Sequence, residues 1–283
     1  MRNSSGPIHN SLFTALMIIA DKGIYSSIES IPLKKNEILY EAGRTIRYAY
    51  FPTTAAISLI SLMEDGATNE IITIGSEGMA GVTFLMGRKL AFNHAIVSSA
   101  GHAYRIDANL LAEKFNQSST MQLLLQRYVQ YLFAQMSQIS TCNLHHGVRQ
   151  KLCRWLLSRL DNQISSEFLL THEELANFLG VRRESITKEA GELQNAGIVQ
   201  NSRGHIAVLN RAKLEQHACE CYAVIRHEAS RLLKDFVFFS TTMRNHNSLH
   251  VQEIEEATEV ETRISPRGKA GTPPSPQSIL ITP

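Results

Sequence analysis

THEELANFLGVRRESITKEAGELQNAGIV, residues Thr171 to Val199, is the stretch that decides the fold. Thr171 followed three residues on by Glu174 is a capping box, so a helix starts there. Leu175 with Phe178 or Leu179 supplies the buried side of that helix. Gly180 suits a tight or left-handed turn. A second helix then opens with Arg182, Arg183 and Glu184. Two short helices about such a turn form a helix-turn-helix, whose second helix is shaped to enter the major groove of DNA.

The second helix divides by angle. At about 100° per residue, Arg183, Glu184, Thr187, Lys188 and Gly191 fall within an arc of roughly 140°. Ile186, Ala190 and Leu193 gather on an adjoining arc of roughly 60°. One face packs on the first helix and the other stays free. The free face carries the chemistry of base edges. An arginine grips guanine O6 and N7 with two bonds, and a glutamate accepts from cytosine N4. Arg183, Glu184, Thr187 and Lys188 are therefore the candidate base contacts. Beyond it, Ile198-Val199 and Ile206-Ala207-Val208 flank Asn201-Ser202-Arg203-Gly204, which reads as a hairpin wing. Ser202, Arg203 and Gly204 at its tip, with Arg182 and Thr171, are candidate phosphate contacts, which position a protein without specifying sequence. Arg149 and Lys151 on the preceding amphipathic helix are weaker candidates of the same kind.

Upstream of that helix, Met121, Leu125, Tyr128, Leu132, Met136 and Ile139 recur at spacings of three and four. They form one apolar stripe on a helix of on the order of 33 Å, ending in a break over Asn143 to His146. The stripe can pack on its own barrel, on a second copy, or on both. Pairing is the expectation, because a helix-turn-helix protein usually needs two copies for two half-sites. From Ile31 to Ile106, short apolar runs alternate with turn signals such as Glu64-Asp65-Gly66, which predicts a small antiparallel barrel or sandwich. Leu12 to Ala20 is an apolar patch too short to span a bilayer and reads as a packed helix.

The fold class is thus α+β. The expected divisions are a β-roll with an N-terminal helix over 1–108, a long connecting helix over 109–142 and a winged helix-turn-helix over 143–210. A helical extension over 211–243 and a disordered tail over 244–283, rich in Glu and Pro, complete the chain.

Composition sets outer bounds. The 283 residues are 43% hydrophobic with a formal net charge of +2, ample for packed cores and without a global basic signature. A nucleic-acid reading must rest on where the charges sit. Four cysteines, Cys142, Cys153, Cys219 and Cys221, make no disulfide framework, and no secretory signal is read, so the reducing cytoplasm is the expected compartment. Cys219 and Cys221 form a CxC pair, a pattern that can bind metal or oxidise, and the preferred reading is two partly buried reduced thiols. No metal-ligand spacing and no nucleophile–base arrangement stands out, so no metal, no cofactor and no enzymatic reaction is expected. His145 and His146 are adjacent, so their side chains diverge on a helix.

The chain resembles the Crp/Fnr family of bacterial transcription regulators from about Ile31 to Val208. The order of β-roll, long helix and winged helix-turn-helix matches, and Val181-Arg182-Arg183-Glu184-Ser185 is similar to the start of the family's recognition helix. The resemblance implies that Arg183, Glu184 and Lys188 stand where the family reads bases with Arg, Glu and Arg, with double-stranded DNA, a second copy and RNA polymerase as partners and no membrane. Lys188 keeps the charge of the family's arginine but loses its fork. Members that bind a cyclic nucleotide carry Gly-Glu-Leu and, some ten residues on, Arg-Ser or Arg-Thr. Here Gly75-Ser76-Glu77-Gly78 is followed by Asn93-His94 at that place. Without the arginine a cyclic phosphate lacks its charged partner, so cyclic AMP is not the expected ligand. Glu77, Asn93 and His94 remain the candidate effector residues, for a small-molecule or redox signal of unassigned identity. The family's oxygen sensors use N-terminal cysteines, but no cysteine precedes Cys142, and nothing singles out His94, His102, His145 or His146 for haem. The competing function is a ligand-binding adaptor that uses the helix-turn-helix for protein contacts.

Overall fold

The computed structural model describes residues 9–20, 22–64, 66–87, 89–162 and 165–244; apart from Arg244, the expected tail lies outside them. A short helix, α1 (Ser11–Ile19), precedes seven strands: β1 (Glu29–Leu33), β2 (Ile38–Tyr40), β3 (Tyr48–Pro52), β4 (Ala56–Leu62), β5 (Thr68–Ile74), β6 (His94–Ser99) and β7 (Gly101–Asp107). They form two antiparallel sheets, ordered β1-β7-β3 and β2-β6-β4-β5. The inner faces supply the core around Phe51, Ile57, Ile72, Val97 and Ile106, and α1 adds Leu12 and Leu16. This is the expected β-roll with its N-terminal helix.

The helical connector departs from its expected form. Instead of one helix there are two, α2 (Ala108–Gln117) and α3 (Ser119–His145). Ser118 divides them because its extended backbone (φ −126°, ψ 108°) lets its hydroxyl accept from Met121 N at 3.2 Å, an N-cap bond that serine makes readily. α3 also runs through the break expected at Asn143, and its cap is His146, just before Gly147. The apolar stripe has a use within the chain. Met121, Leu125, Tyr128 and Leu132 are buried in the barrel's own core cluster, and Met136 and Ile139 are packed against it.

Tyr128 shows how tightly the helix is keyed to the barrel. Its hydroxyl accepts from Met79 N and donates to Met79 O, both at 2.9 Å, and a Cβ at Gly78 would collide with that oxygen. Tyr128→Phe strips both bonds from a fully buried peptide unit. The expected loss is about 1–2 kcal/mol of stability, read in a denaturant titration at constant slope. A variant as stable as the parent would show that the loop carries no such dependence.

The remainder is α4 (Val148–Asp161), β8 (Glu167–Phe168), α5 (His172–Leu179), α6 (Arg183–Asn195), β9 (Val199–Ser202), β10 (His205–Val208), α7 (Arg211–His217) and α8 (Glu220–Arg244). A second core, centred on Trp155, Leu156, Leu175, Ile186, Leu193 and Ile206, holds α4 to β10 together. The expected C-terminal helix is divided at Ala218-Cys219, and Leu232 and Phe236 of α8 return to the barrel core.

Candidate nucleic-acid interface

The helix-turn-helix forms through the local devices read above. Thr171 Oγ1 accepts from Glu174 N at 3.1 Å, and Glu174 Oε2 accepts from Thr171 N at 2.7 Å, so both halves of the capping box are made. Gly180 turns the chain in the left-handed region (φ 60°, ψ 41°). Ile186, Ala190 and Leu193 of α6 are buried, whereas Arg183, Glu184, Thr187 and Lys188 face solvent together. Arg182 occupies the N-cap without a side-chain capping bond, which leaves the first amides of α6 open, a position that favours an anion.

The four exposed side chains are held lightly. Thr187 Oγ1 donates to Arg183 O at 3.1 Å and lies 3.1 Å from His172 Nδ1. Arg183 Nε sits 3.8 Å from Glu173, an exposed pair of little strength. Burial, then the Arg183 charge, lowers the His172 pKa, which favours its neutral form.

The wing is the hairpin β9–β10, closed by Arg203-Gly204, with Gly204 at φ 73°. β8 adds a third strand. Leu170 N donates to Gly204 O at 2.9 Å, which sets the wing tip beside Thr171. Ser202 and Arg203 are exposed there. The Thr171 hydroxyl is committed to Glu174, to which it donates at 2.9 Å. Asn201, absent from the sequence-based set, ties the wing to the recognition helix. Its Nδ2 donates to Ala190 O and its backbone N to Gln194 Oε1, both at 2.8 Å. The weaker phosphate candidates are used internally. Arg149 pairs with Glu189 at 2.7 Å and with Glu192, both on α6, and Lys151 Nζ donates to Asn143 O at 2.8 Å.

The candidate effector residues do not converge. Glu77 lies in the loop after β5, beyond the end where Ile74 pairs with Ile57. His94 pairs with Ile60, and Asn93 Nδ2 donates to Ser61 Oγ at 3.4 Å. Ile57 and Ile60 stand about 10 Å apart along β4 at about 3.3 Å per residue, so the two groups sit toward opposite ends of the sheet. Glu77 is buried and both its oxygens accept from Gly75 N at 3.1 Å. Burial raises its pKa to about 7 against the lowering effect of that bond.

A buried polar cluster joins barrel and reader. Glu70 of β5 accepts from Ser58 Oγ at 2.5 Å and Thr73 Oγ1 at 2.8 Å, both barrel groups. From α4 it receives Trp155 Nε1 at 2.8 Å and Arg159 Nη2 at 2.6 Å. Arg159 Nη1 also donates to Ser98 Oγ at 2.7 Å, and its guanidinium lies 4.5 Å from the Trp155 ring centre. Burial pushes the Arg159 pKa down, and Glu70 opposes that. Nearby, Lys35 Nζ donates to Glu174 Oε1 at 2.8 Å and to Leu169 O at 2.7 Å, so the capping-box glutamate is itself tied to the barrel. Away from this face, Cys142, His146, Cys219 and Cys221 gather where the end of α3 meets the start of α8.

A winged helix-turn-helix with a polar recognition face has the architecture of a DNA-reading module, and here it follows a β-roll and a long helix. Residues 150–217 match the Crp-like helix-turn-helix domain family. The transcriptional regulator LdrP of Thermus thermophilus is 25% identical over 164 residues, which cover 50% of this chain and 84% of LdrP. Among solved structures, a putative transcriptional regulator of the Crp/Fnr family from Eubacterium rectale has a TM-score of 0.59 at 19% identity, covering 71% of this chain and 96% of that one. FixK2 from Bradyrhizobium japonicum has a TM-score of 0.57 at 15% identity, covering 68% and 98%. At such identities the structures attest the fold, and the domain match attests the helix-turn-helix. Residues 150–217 are thus a Crp-like helix-turn-helix domain, and the chain shares the fold of Crp/Fnr regulators. No described helix is long and apolar enough to cross a membrane.

Proposed function

We propose that the chain acts in the cytoplasm as a homodimer on double-stranded DNA, a regulator and not a catalyst. In this reading Arg183, Glu184, Thr187 and Lys188 contact base edges, and Arg182, Ser202, Arg203 and Gly204 contact phosphates; Thr171, whose hydroxyl and amide both donate to Glu174, leaves that set. The observation that carries it is the clean division of α6, with a buried apolar face and an exposed polar one beside an exposed wing tip. The stripe first read as the dimer seam is occupied by the barrel. The two-fold contact is therefore assigned to the opposite side of α3, where Leu123, Phe133 and Leu144 are exposed. RNA polymerase is the further partner at a promoter. The β-roll takes a signal other than cyclic AMP, small-molecule or redox. The separation of Glu77 from Asn93 and His94 supports this, as does a Glu77 carboxylate already bonded within its own loop.

The test is selection of DNA from a random pool by the purified full chain, followed by footprinting. Two half-sites about 34–36 Å apart, centre to centre, are expected, with affinity falling steeply as salt rises. Absent or salt-insensitive DNA binding would instead support an adaptor that uses this face for protein contacts. Within the DNA reading, Arg203→Ala should weaken selected and random DNA alike and flatten the salt slope by about one per subunit. A loss confined to the selected sequence would remove the wing from the phosphate set.

A further inference from the structure

Cys142 and His146 stand four residues apart at the end of α3, a spacing that puts both on one side of the helix. Cys219 and Cys221 flank Glu220, the first residue of α8. One ligand atom from each of the four lies within 4.8 Å of all the others. The sulfurs of Cys142 and Cys219 are 3.6 Å apart, and Cys221 Sγ is 3.5 Å from His146 Nδ1. The three cysteines are buried and the His146 side chain is 14% exposed. A tetrahedral cation bound to thiolate at about 2.3 Å and to imidazole at about 2.0–2.1 Å has edges of about 3.8 Å between sulfurs and about 3.6 Å from sulfur to nitrogen. The two measured edges have that length.

We propose that Cys142, His146, Cys219 and Cys221 form a tetrahedral site for a thiophilic divalent cation, with zinc the metal whose size and ligand preference fit three sulfurs and one imidazole.

The surroundings are those of such a site. His146 Nε2 lies 3.3 Å from Glu220 Oε1, a carboxylate that holds the ring proton on Nε2 and leaves the Nδ1 lone pair facing the sulfurs. Gln138 Nε2 donates to Cys221 Sγ at 3.1 Å, and Arg154 Nε donates to Cys142 Sγ at 3.2 Å. Arg154 is 3% exposed and pairs with no carboxylate among the described residues. A buried guanidinium calls for an anion. Three thiolates on a divalent cation carry one net negative charge, which matches the single charge of Arg154. Binding releases three thiol protons to solvent and changes no oxidation state. The two alternatives fit less well. A Cys142–Cys219 disulfide would leave Cys221 and His146 without a task, and a two-iron cluster would hold its ligands in two pairs spread across the irons.

The placement has a consequence for the reader. Cys142 and His146 lie just before Gly147, where the DNA-reading module begins, and Cys219 lies just after α7, where it ends. One cation thus fastens entry and exit of that module to a single point. Closing so long a loop stabilises the fold, because the unfolded chain loses the most freedom.

The experiment is metal analysis of the full chain expressed with zinc and purified under reducing conditions without chelator. About one zinc per chain is expected, and the reduced apo-protein should take up Co(II) with the visible bands of tetrahedral coordination and a thiolate charge-transfer band. Cys219→Ser with Cys221→Ser should abolish both. Cys153→Ala, which alters a cysteine outside the cluster, should leave both unchanged. Chelation should lower the unfolding temperature of the parent and not of the double variant. If that variant fails to fold, the stoichiometry and Co(II) spectrum of the parent decide alone. Three results would overturn the site: traces of zinc with no Co(II) thiolate band, a Cys142–Cys219 disulfide in metal-free protein, or iron with labile sulfide in place of zinc.

Discussion

Replacing Arg183 with alanine is expected to lower affinity for the selected DNA site by about 5- to 150-fold, while random DNA is bound nearly as before. The range follows from about 1–3 kcal/mol of discrimination for one bidentate arginine–guanine pair. The loss belongs to binding and not to folding, because the Arg183 side chain is 65% exposed and its ion pair with Glu173 is long at 3.8 Å. Deleting it should move stability by no more than about 0.5 kcal/mol. Arg183→Lys should restore charge and little specificity, since an ammonium cannot grip O6 and N7 together. Competition titrations with selected and random duplexes give both numbers in one experiment. Unchanged affinity for the selected site would remove Arg183 from base reading and leave α6 without its anchor.

The helix-turn-helix was legible because each of its determinants is local. A capping box spans three residues, a left-handed glycine is a single position, and the division of α6 repeats along one helix. The strands were legible for a similar reason, since turn residues interrupt short apolar runs. What escaped depends on pairs far apart in sequence. Asn201 reaches back to Ala190, Arg149 is taken by Glu189, and Cys142 meets Cys219, none of which follows from spacing. The stripe on α3 is the instructive case. Periodicity establishes that a face is buried and says nothing of what covers it, so the same pattern reads equally as a dimer seam or as the barrel contact that it makes. Glu77 and His94 teach the converse, because the single connection between β5 and β6 starts at one end of a sheet and finishes toward the other.

Glu70 links the β-roll to the helix-turn-helix through α4. Barrel hydroxyls from Ser58 and Thr73 fix its carboxylate before the reader is counted, and α4 supplies Trp155 and Arg159 to it. The ion pair is almost fully buried, at 5% and 6% exposure of the two side chains. Breaking such a pair from one side strands the other charge, at a cost of about 3–5 kcal/mol. Glu70→Ala is therefore expected to lower the unfolding temperature by on the order of 10 °C, given a shift of about 2–4 °C per kcal/mol at this size. The paired replacement Glu70→Leu with Arg159→Met removes both charges and should recover most of the loss, because a buried pair is worth little against apolar groups of similar volume. That recovery separates a stranded charge from damaged packing, and a double variant no better than Glu70→Ala would refute the stranded-charge account. The two variants also bear on signalling. If Glu70 carries the state of β5 to α4, the double variant keeps its stability and its DNA binding yet loses any response of that binding to the β-roll's signal. A double variant that still responds as the parent does would place the coupling elsewhere, with Lys35 and Glu174 the remaining polar link described between barrel and reader.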